Sequence, residues 1–202
     1  MNRFVALASA AFVVVGIQGC TNIVPQQANL SPKVSVIASN EGRNIAVGVR
    51  VIDERASKDL GRHGFASTNT AEITATQDIV MVVQQQVLDG LRMKGFNPVK
   101  YGAPKEPQLT IEIRLLEYTT FQLNLWTGDI RVKGALKAVA TRASSNYERM
   151  YRSENEKSIE RAGLPSAEWN EQFINATLTD LLNDLFKDKD LFKFLAGQPV
   201  VP

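Results

Sequence analysis

Apolar residues alternate with polar or small ones in three segments, 45–51, 109–115 and 130–140. The apolar set of the second segment ends with Leu115. Because successive side chains of a strand point to opposite faces, this period of two predicts three β-strands, each with one polar face. A shorter strand is predicted at 97–101, and Tyr147, Arg149 and Tyr151 begin a very polar fifth strand. We therefore expect a sheet that is covered on one face and exposed on the other.

Apolar residues at helical spacing predict two helices. The first begins at Thr74 or Thr76, either of which suits a cap, and ends at Gly95, where Phe96 follows a left-handed stop. The second begins after the cap Ser166, is interrupted at 187–190 and is followed by a short apolar turn at 191–195. Residues 53–70 are polar and are predicted to form a long surface loop.

These elements predict the fold class. We expect an α/β (α+β) fold, a two-layer sandwich in which a mixed, mostly antiparallel sheet carries two helices packed on one face. Strand, helix and strand at 45–101 favour a right-handed crossover, whereas short turns between the later strands favour an antiparallel meander.

The first twenty residues have the pattern of an export signal. Arg3 gives a positive start, and an apolar run follows at 4–17. This run suits a signal-peptide core, whereas a permanent membrane helix needs about 20 residues. It ends in Ile17-Gln18-Gly19-Cys20, which resembles a lipobox, although Gln18 departs from the usual small or aliphatic residue. We predict cleavage before Cys20 and lipidation of that cysteine; the alternatives are a secretory leader without lipid or a buried thiol.

The lipobox resemblance implies a diacylglycerol on the Cys20 thiol and an acylated amine. Several acyl chains anchor a protein firmly, whereas one holds it only marginally. The next residue is Thr21 rather than Asp, which in the enterobacterial sorting pattern favours the outer membrane with a periplasm-facing domain, the inner membrane being the alternative. We divide the chain into a signal peptide at 1–19, a lipidated N-terminus and flexible tether at 20–44, and one periplasmic α/β domain at 45–197.

Composition narrows the function classes. The formal net charge is +2, which is too small to favour a nucleic-acid partner. The single cysteine excludes an intramolecular disulfide, and with a single histidine, His63, a zinc site of Cys and His is not expected. We expect no metal and no cofactor, and we interpret His63 as a solvated loop residue.

The order of the elements is similar to that of the YajG family of small bacterial lipoproteins. The similarity covers nearly the whole chain and rests on Cys20, on a strand that runs into Asp53-x-Arg55, on the polar loop, on the helix end from Gln86 to Phe96, and on the terminal amphipathic helix. It implies an envelope lipoprotein. The family has no assigned catalytic residues, so only the lipidated Cys20 is carried over.

Three residues are candidates for a partner or ligand patch. Asp53 and Arg55 follow a strand, where they form either a binding patch or, as we favour, a local ion pair that shapes the turn. Trp126 lies in the apolar segment 119–127, which is either an exposed contact surface or part of the core.

Three functions compete, and we predict no catalytic residue for this chain. The leading hypothesis is a non-enzymatic binding or accessory module for an envelope protein or cell-wall partner, held by its lipid anchor. The alternatives are a carrier or sensor for a small molecule, lipid or glycan between helices and sheet, and a hydrolase that would need a converging acid/base pair.

Overall fold

Eight strands in the described part of the chain form one mixed sheet, and three helices accompany it. This computed structural model describes residues 23–66, 69–102, 106–121, 128–159 and 165–199. The strands are β1 (Gln26–Ala28), β2 (Ala46–Asp53), β3 (Gly61–Ala66), β4 (Asn69–Ala75), β5 (Asn97–Lys100), β6 (Gln108–Phe121), β7 (Gly128–Arg142) and β8 (Ser145–Ile159). The helices are α1 (Ile79–Met93), α2 (Ala167–Lys187) and α3 (Lys189–Leu195). The α+β class is confirmed, with one helix more than predicted.

The sheet is arranged about β6. β2 pairs in parallel with its first half, β3 meets the same edge at Tyr118, and β7 pairs antiparallel with its other edge. β5 extends the sheet beyond β2, β4 and β1 extend it beyond β3, and β8 lies beyond β7. Four of the seven strand pairings in the described residues are parallel, so a mostly antiparallel sheet is not confirmed. Three of these parallel pairs, β2 with β5, β2 with β6 and β3 with β6, are joined by chain that crosses over through α1, whereas β1 and β4 are joined through β2 and β3.

A β-bulge in β6 changes which residues face the core. Leu109, Ile111 and Ile113 are buried in alternation, as predicted. The register then shifts between Ile113 and Leu115, and one extra residue moves every following side chain to the opposite face. Leu116 is therefore buried, and the predicted continuation of the core face to Leu115 is wrong.

A β-hairpin occupies much of the segment predicted to be a surface loop. β3 and β4 pair antiparallel, with His63 opposite Ala71. Leu60, at the entry to β3, is fully buried. Its N–H donates to the carbonyl of Ile73 at 2.8 Å, and its carbonyl accepts the N–H of Tyr118 at 2.6 Å. The hairpin is thus held by the sheet rather than by an apolar pattern of its own.

The two ends of α1 differ in how well the sequence predicted them. Neither predicted threonine caps the helix; the carboxylate of Asp78 does, by accepting a backbone N–H of the first turn at 2.8 Å. The end is as predicted, because Gly95 has a φ of +81° and the N–H of Phe96 donates to the carbonyl of Leu91 at 3.0 Å. Phe96 is buried beside this turn.

α2 is packed closely against α1 and the sheet. Ser166 caps α2, as predicted, and its hydroxyl accepts the N–H of Trp169. A Cβ placed on Gly90 of α1 would lie 2.0 Å from the ring of Phe186 in α2. A Cβ on Gly134 of β7 would lie 2.5 Å from a methyl of Leu181. At these two contacts, helix against helix and helix against sheet, the chain tolerates only glycine without rearrangement.

Residues 23–44 lie on the domain, in contrast to the flexible tether expected over 20–44. β1 pairs in parallel with β4, and Ala28 and Leu30 are at most 3% exposed. Further along, the N–H groups of Ser39, Gly42 and Asn44 donate to carbonyls in and just after the last turn of α1 at 2.7–2.9 Å. The ordered domain therefore begins well before residue 45.

Candidate functional site

Asp53 and Arg55 form an ion pair at the end of β2. The Nε of Arg55 donates to Oδ1 of Asp53 at 2.9 Å, and one Nη donates to Oδ2 at 3.1 Å. The same guanidinium donates to the main-chain carbonyls of Lys58 and Asp59, both at 3.2 Å. Only 5% of the Arg55 side chain and 13% of the Asp53 side chain are exposed. The pair therefore braces the loop at 53–59, which carries the chain from β2 to β3.

The carboxylate of Asp53 is held in its charged form. Burial opposes ionisation, but hydrogen bonds from Arg55 and Lys58 outweigh it and lower the pKa of Asp53 to about 2. The ammonium of Lys58 lies 3.1 Å from Oδ2. A carboxylate with so low a pKa is a poor proton acceptor at neutral pH. The geometry thus favours the local ion pair over a binding patch.

Cys20 and Trp126 lie outside the described residues, since 1–22 and 122–127 are not described. The last described residue before Trp126 is Phe121, at the end of β6. Asp53 pairs with Ile113 of the same strand, and eight residues of strand span roughly 27 Å. The structure brings Asp53 and Arg55 together, and Trp126 stays a prediction outside the described residues.

His63 is buried rather than solvated, which corrects our interpretation of it. Its side chain is 2% exposed, and Nε2 lies 2.9 Å from the carbonyl oxygen of Val24. Because a carbonyl oxygen only accepts, Nε2 carries the hydrogen. Nδ1 is buried and has no hydrogen-bond partner among the described residues. His63 therefore ties the beginning of the described chain to β3.

A buried carboxylate that the sequence analysis missed joins α3 to β8. Oδ2 of Asp188 accepts the hydroxyls of Tyr147 at 2.7 Å and of Tyr151 at 2.5 Å. Oδ1 accepts an Nη of Arg149 at 3.2 Å and two N–H groups of the first turn of α3. The Asp188 side chain is 2% exposed. We call Asp188, Tyr147, Arg149 and Tyr151 the Asp188 cluster.

The polar groups of the Asp188 cluster are paired with one another. Burial, followed by the hydrogen bond to Asp188, raises the pKa of Tyr147 to about 12, and the same two causes raise the pKa of Tyr151 further. Both tyrosines are therefore neutral donors at physiological pH. Since Asp188 accepts five hydrogen bonds, its lone pairs are occupied. The cluster holds α3 in place and has no free acceptor for a substrate proton.

An open groove of about 570 Å³ lies beside the Asp188 cluster. Basic side chains dominate its wall: Arg149, Arg152, Lys187, Lys189 and Lys193. Three aspartates also line it, of which Asp188 is engaged in the cluster, while Asp184 pairs with Lys187 and Asp190 pairs with Lys193 across one helical turn. We call this feature the basic groove.

The described residues hold no group of three or more His, Cys, Asp or Glu side chains placed to bind a metal ion. Among the same residues, no helix combines the length and the apolar character needed to span a bilayer.

Comparison with known proteins defines the class. The family model Lipoprotein_16, described as an uncharacterized lipoprotein, matches residues 32–196. This match covers well over half of the chain, so the chain belongs to that lipoprotein family. The resemblance to the YajG lipoproteins is confirmed at this level. No curated protein matches the chain at a significant level.

Comparison with solved structures finds matches at low sequence identity. Protein XCC0632 from Xanthomonas campestris is 10% identical with a TM-score of 0.52, over 87% of this chain and 99% of that one. The rare lipoprotein B from Shewanella oneidensis is 10% identical with a TM-score of 0.39, over 70% and 88% of the two chains. A minor lipoprotein from Acinetobacter baumannii is 10% identical with a TM-score of 0.35, over 79% and 98%. The first likeness concerns the fold alone.

Proposed function

We propose that this protein is anchored through lipid on Cys20, in the outer membrane and facing the periplasm, and acts there as a non-enzymatic binding or accessory module. Its partner is an envelope protein or a cell-wall component. Membership of a lipoprotein family and the export pattern that ends in Cys20 support the anchor. Thr21 in place of an aspartate favours the outer membrane.

The observation that carries the binding role is the contrast between closed polar clusters and an open groove. Among the described residues, Asp53 and Asp188 are the carboxylates that accept the most hydrogen bonds, and the donors are neighbouring groups of the chain itself. General acid/base catalysis needs a group that is free to exchange a proton with a substrate. The basic groove instead presents ammonium and guanidinium groups to solvent.

The chemistry of the groove indicates an acidic partner surface. Five basic side chains face three aspartates, and Asp188 is shielded within its cluster. The exposed ammonium of Lys189 is the groove cation that we expect to pair with partner carboxylates or phosphates. Contacts of this kind between exposed groups weaken as salt is added.

Close packing counts against the alternative of a carrier with a ligand between helices and sheet. At Gly90 and Gly134 even an added Cβ would overlap Phe186 and Leu181. A ligand at these contacts would have to separate α2 from α1 and from the sheet. Trp126 stays a predicted contact residue outside the described part of the chain.

Photo-crosslinking in intact cells tests the proposal. A photoreactive residue is placed at Arg152 or Lys187, which line the groove, and at the exposed Gln85 of α1 as a control. We expect one product from the groove positions, absent at Gln85 and lost when Lys193 is replaced by Glu. Products that are the same at all three positions, or no product from either groove position, would contradict the binding role.

A further inference from the structure

The N-terminal segment runs along α2 and is held by a regular set of hydrogen bonds. Main-chain N–H groups of every second residue of the segment donate to side-chain oxygens of every fourth residue of the helix. The donors are Asn29, Ser31, Lys33 and Ser35, and the acceptors are Glu171, Asn175, Thr179 and Asn183, at 2.7, 2.7, 3.0 and 2.9 Å in that order. We call this set the α2 ladder.

The spacing between donors along the segment nearly equals the spacing between acceptors along α2. Two residues of extended chain rise about 6.6 Å, and four residues of α-helix rise about 6.0 Å. The segment and the helix therefore stay in register over four rungs. The four donors to α2 are all odd-numbered residues, so Pro32, which has no N–H, falls between rungs and leaves the ladder intact.

The ladder and β1 limit how far the domain can lie from Cys20. Residues 21–25 alone separate Cys20 from the first residue of β1, Gln26. Even fully extended, this connection spans about 20 Å. A free tether over 21–44 would span about 80 Å. Because the segment is docked, the domain can lie much closer to Cys20 than a flexible tether over 20–44 would allow.

One end of the domain surrounds the point where the chain enters it. Asn170, in the first turn of α2, donates to the side-chain oxygen of Gln26 at 2.8 Å. Lys157, near the end of β8, lies over the ring of Trp169 at 5.6 Å. Val24, two residues before Gln26, is 62% exposed, and its carbonyl oxygen lies 2.9 Å from Nε2 of His63. We call the surface formed by Val24, Lys157 and Trp169 the entry end.

The far end of the domain lies along β8. Ser145 begins this strand, and twelve residues of strand, roughly 40 Å, separate it from Lys157. The basic groove opens beside residues 149–152, in the first half of the same strand, and beside the start of α3. The strand residues that line the groove therefore lie five to eight positions, roughly 17–26 Å, from Lys157.

We propose that the α2 ladder fixes the orientation of the domain, so that the entry end faces the phospholipid headgroups that surround the anchor and the basic groove faces away from the membrane. This inference rests on the lipidation of Cys20 proposed above. The short connection from Cys20 brings the entry end within about 20 Å of the lipid surface.

The side chains of the entry end suit a headgroup surface. Trp169 is half-buried and stacks on Phe173, with ring centroids 5.0 Å apart. Tryptophan is enriched at membrane–water interfaces because its ring is apolar and its N–H is polar. The ammonium of Lys157 beside it is exposed and matches the negative charge of phosphate groups.

The test measures the distance of each end from the lipid. The lipidated full-length protein is inserted into vesicles of phosphatidylethanolamine and phosphatidylglycerol that carry a headgroup-linked acceptor dye. A donor dye is attached at Lys157→Cys in one sample and at Ser145→Cys in another; since the acylated Cys20 has no free thiol, each label is unique. We expect severalfold greater energy transfer from position 157. Equal transfer from both positions would overturn the proposed orientation.

A matched pair of variants tests the role of the ladder. Replacing Ser31, Lys33 and Ser35 together by Pro removes three N–H donors while keeping extended backbone, whereas replacing the same residues by Ala keeps the donors. We expect the Pro variant to lose the difference in transfer between the two labels and the Ala variant to retain it. An unchanged difference in a folded Pro variant overturns the role of the ladder.

Hydrogen exchange of the unaltered protein provides a result even if the Pro variant does not fold. The amides of the four donors are expected to exchange as slowly as those of α2, and exchange at unfolded-chain rates would overturn the ladder. Mass spectrometry of the vesicle sample separates the two proposals. An unacylated Cys20 refutes the anchor, whereas an acylated protein with equal transfer refutes only the orientation.

Discussion

Replacing Asp188 with alanine is expected to lower the free energy of unfolding by about 3–5 kcal/mol, because one carboxylate has three structural roles. It accepts the hydroxyls of Tyr147 and Tyr151, pairs with Arg149 and caps α3. Among the described residues, no other carboxylate pairs with Tyr147, Arg149 or Tyr151, so the loss falls on all of them together.

The magnitude follows from the burial of each partner. Loss of the helix cap costs about 1 kcal/mol, and a buried hydroxyl left without an acceptor, that of Tyr151, costs about 1–3 kcal/mol. The half-buried hydroxyl of Tyr147 adds about 1 kcal/mol. The Arg149 side chain is 52% exposed, so its ion pair adds little.

Urea unfolding at pH 7, followed by circular dichroism, measures this loss. In a thermal scan the same change lowers the melting temperature by roughly 10 °C for a domain of this size. Tyr151→Phe is the matched control, since it removes one donor and keeps the cap, and should cost only about 1 kcal/mol. If Asp188→Ala unfolds within about 1 kcal/mol of the unaltered protein, the cluster does not hold α3 and the reasoning is refuted.

Three further predictions concern pH and packing. The pKa of Asp53 is about 2 in the fold and near 3.8 when unperturbed, so its charged form stabilises the fold above pH 4, and this stabilisation is lost as the pH falls toward 2. Urea unfolding at pH 2–5 should show this loss, with a smaller pH dependence for Arg55→Met. Above pH 10 the free energy of unfolding should fall, because tyrosines of the unfolded chain ionise there while Tyr147 and Tyr151 stay protonated in the fold. In Tyr151→Phe this fall with pH should be shallower, and a fall as steep as in the unaltered protein would contradict the prediction. Gly90→Leu should destabilise the domain by about 1–3 kcal/mol in thermal unfolding through overlap with Phe186, and a neutral effect would show that α1 and α2 are not so close.

Elements whose ends depend on a single residue were predicted well. Ser166 caps α2 and Gly95 ends α1 as expected, because a cap hydroxyl or a left-handed glycine acts within one turn of chain. The cap of α1 was placed too early because Thr74 continues a strand that exists only through its pairing with β1 and β3.

Features that depend on distant partners could not be predicted. The bulge after Ile113 moved the core face from Leu115 to Leu116, and nothing in the alternation marks it. The N-terminal segment has the composition of a linker, yet α2 presents Glu171 and Asn183 at the right spacing to hold its backbone. A linker that binds through its N–H groups leaves no side-chain pattern.

The candidate sites likewise divide into a local pair that the sequence predicted and a long-range cluster that it did not. Asp53 and Arg55 are two residues apart, so their pairing followed from local geometry. Asp188 was recognised only as part of a helix break, because its partners Tyr147 and Tyr151 come about 40 residues earlier and meet it only when β8 lies against α3. Two tyrosines on one face of a polar strand, four residues apart, together with an aspartate between two helices, were the available signal.

The central claim is the lipid anchor, and mass spectrometry of the mature amino terminus tests it most directly. Protein purified from the membranes of its native host is digested, and the peptide that begins at Cys20 is analysed. The account predicts cleavage before Cys20, a diacylglyceryl group on its sulfur and an acylated amine. An amino terminus at Cys20 with a free thiol and no acyl chain, or an uncleaved leader, would contradict it.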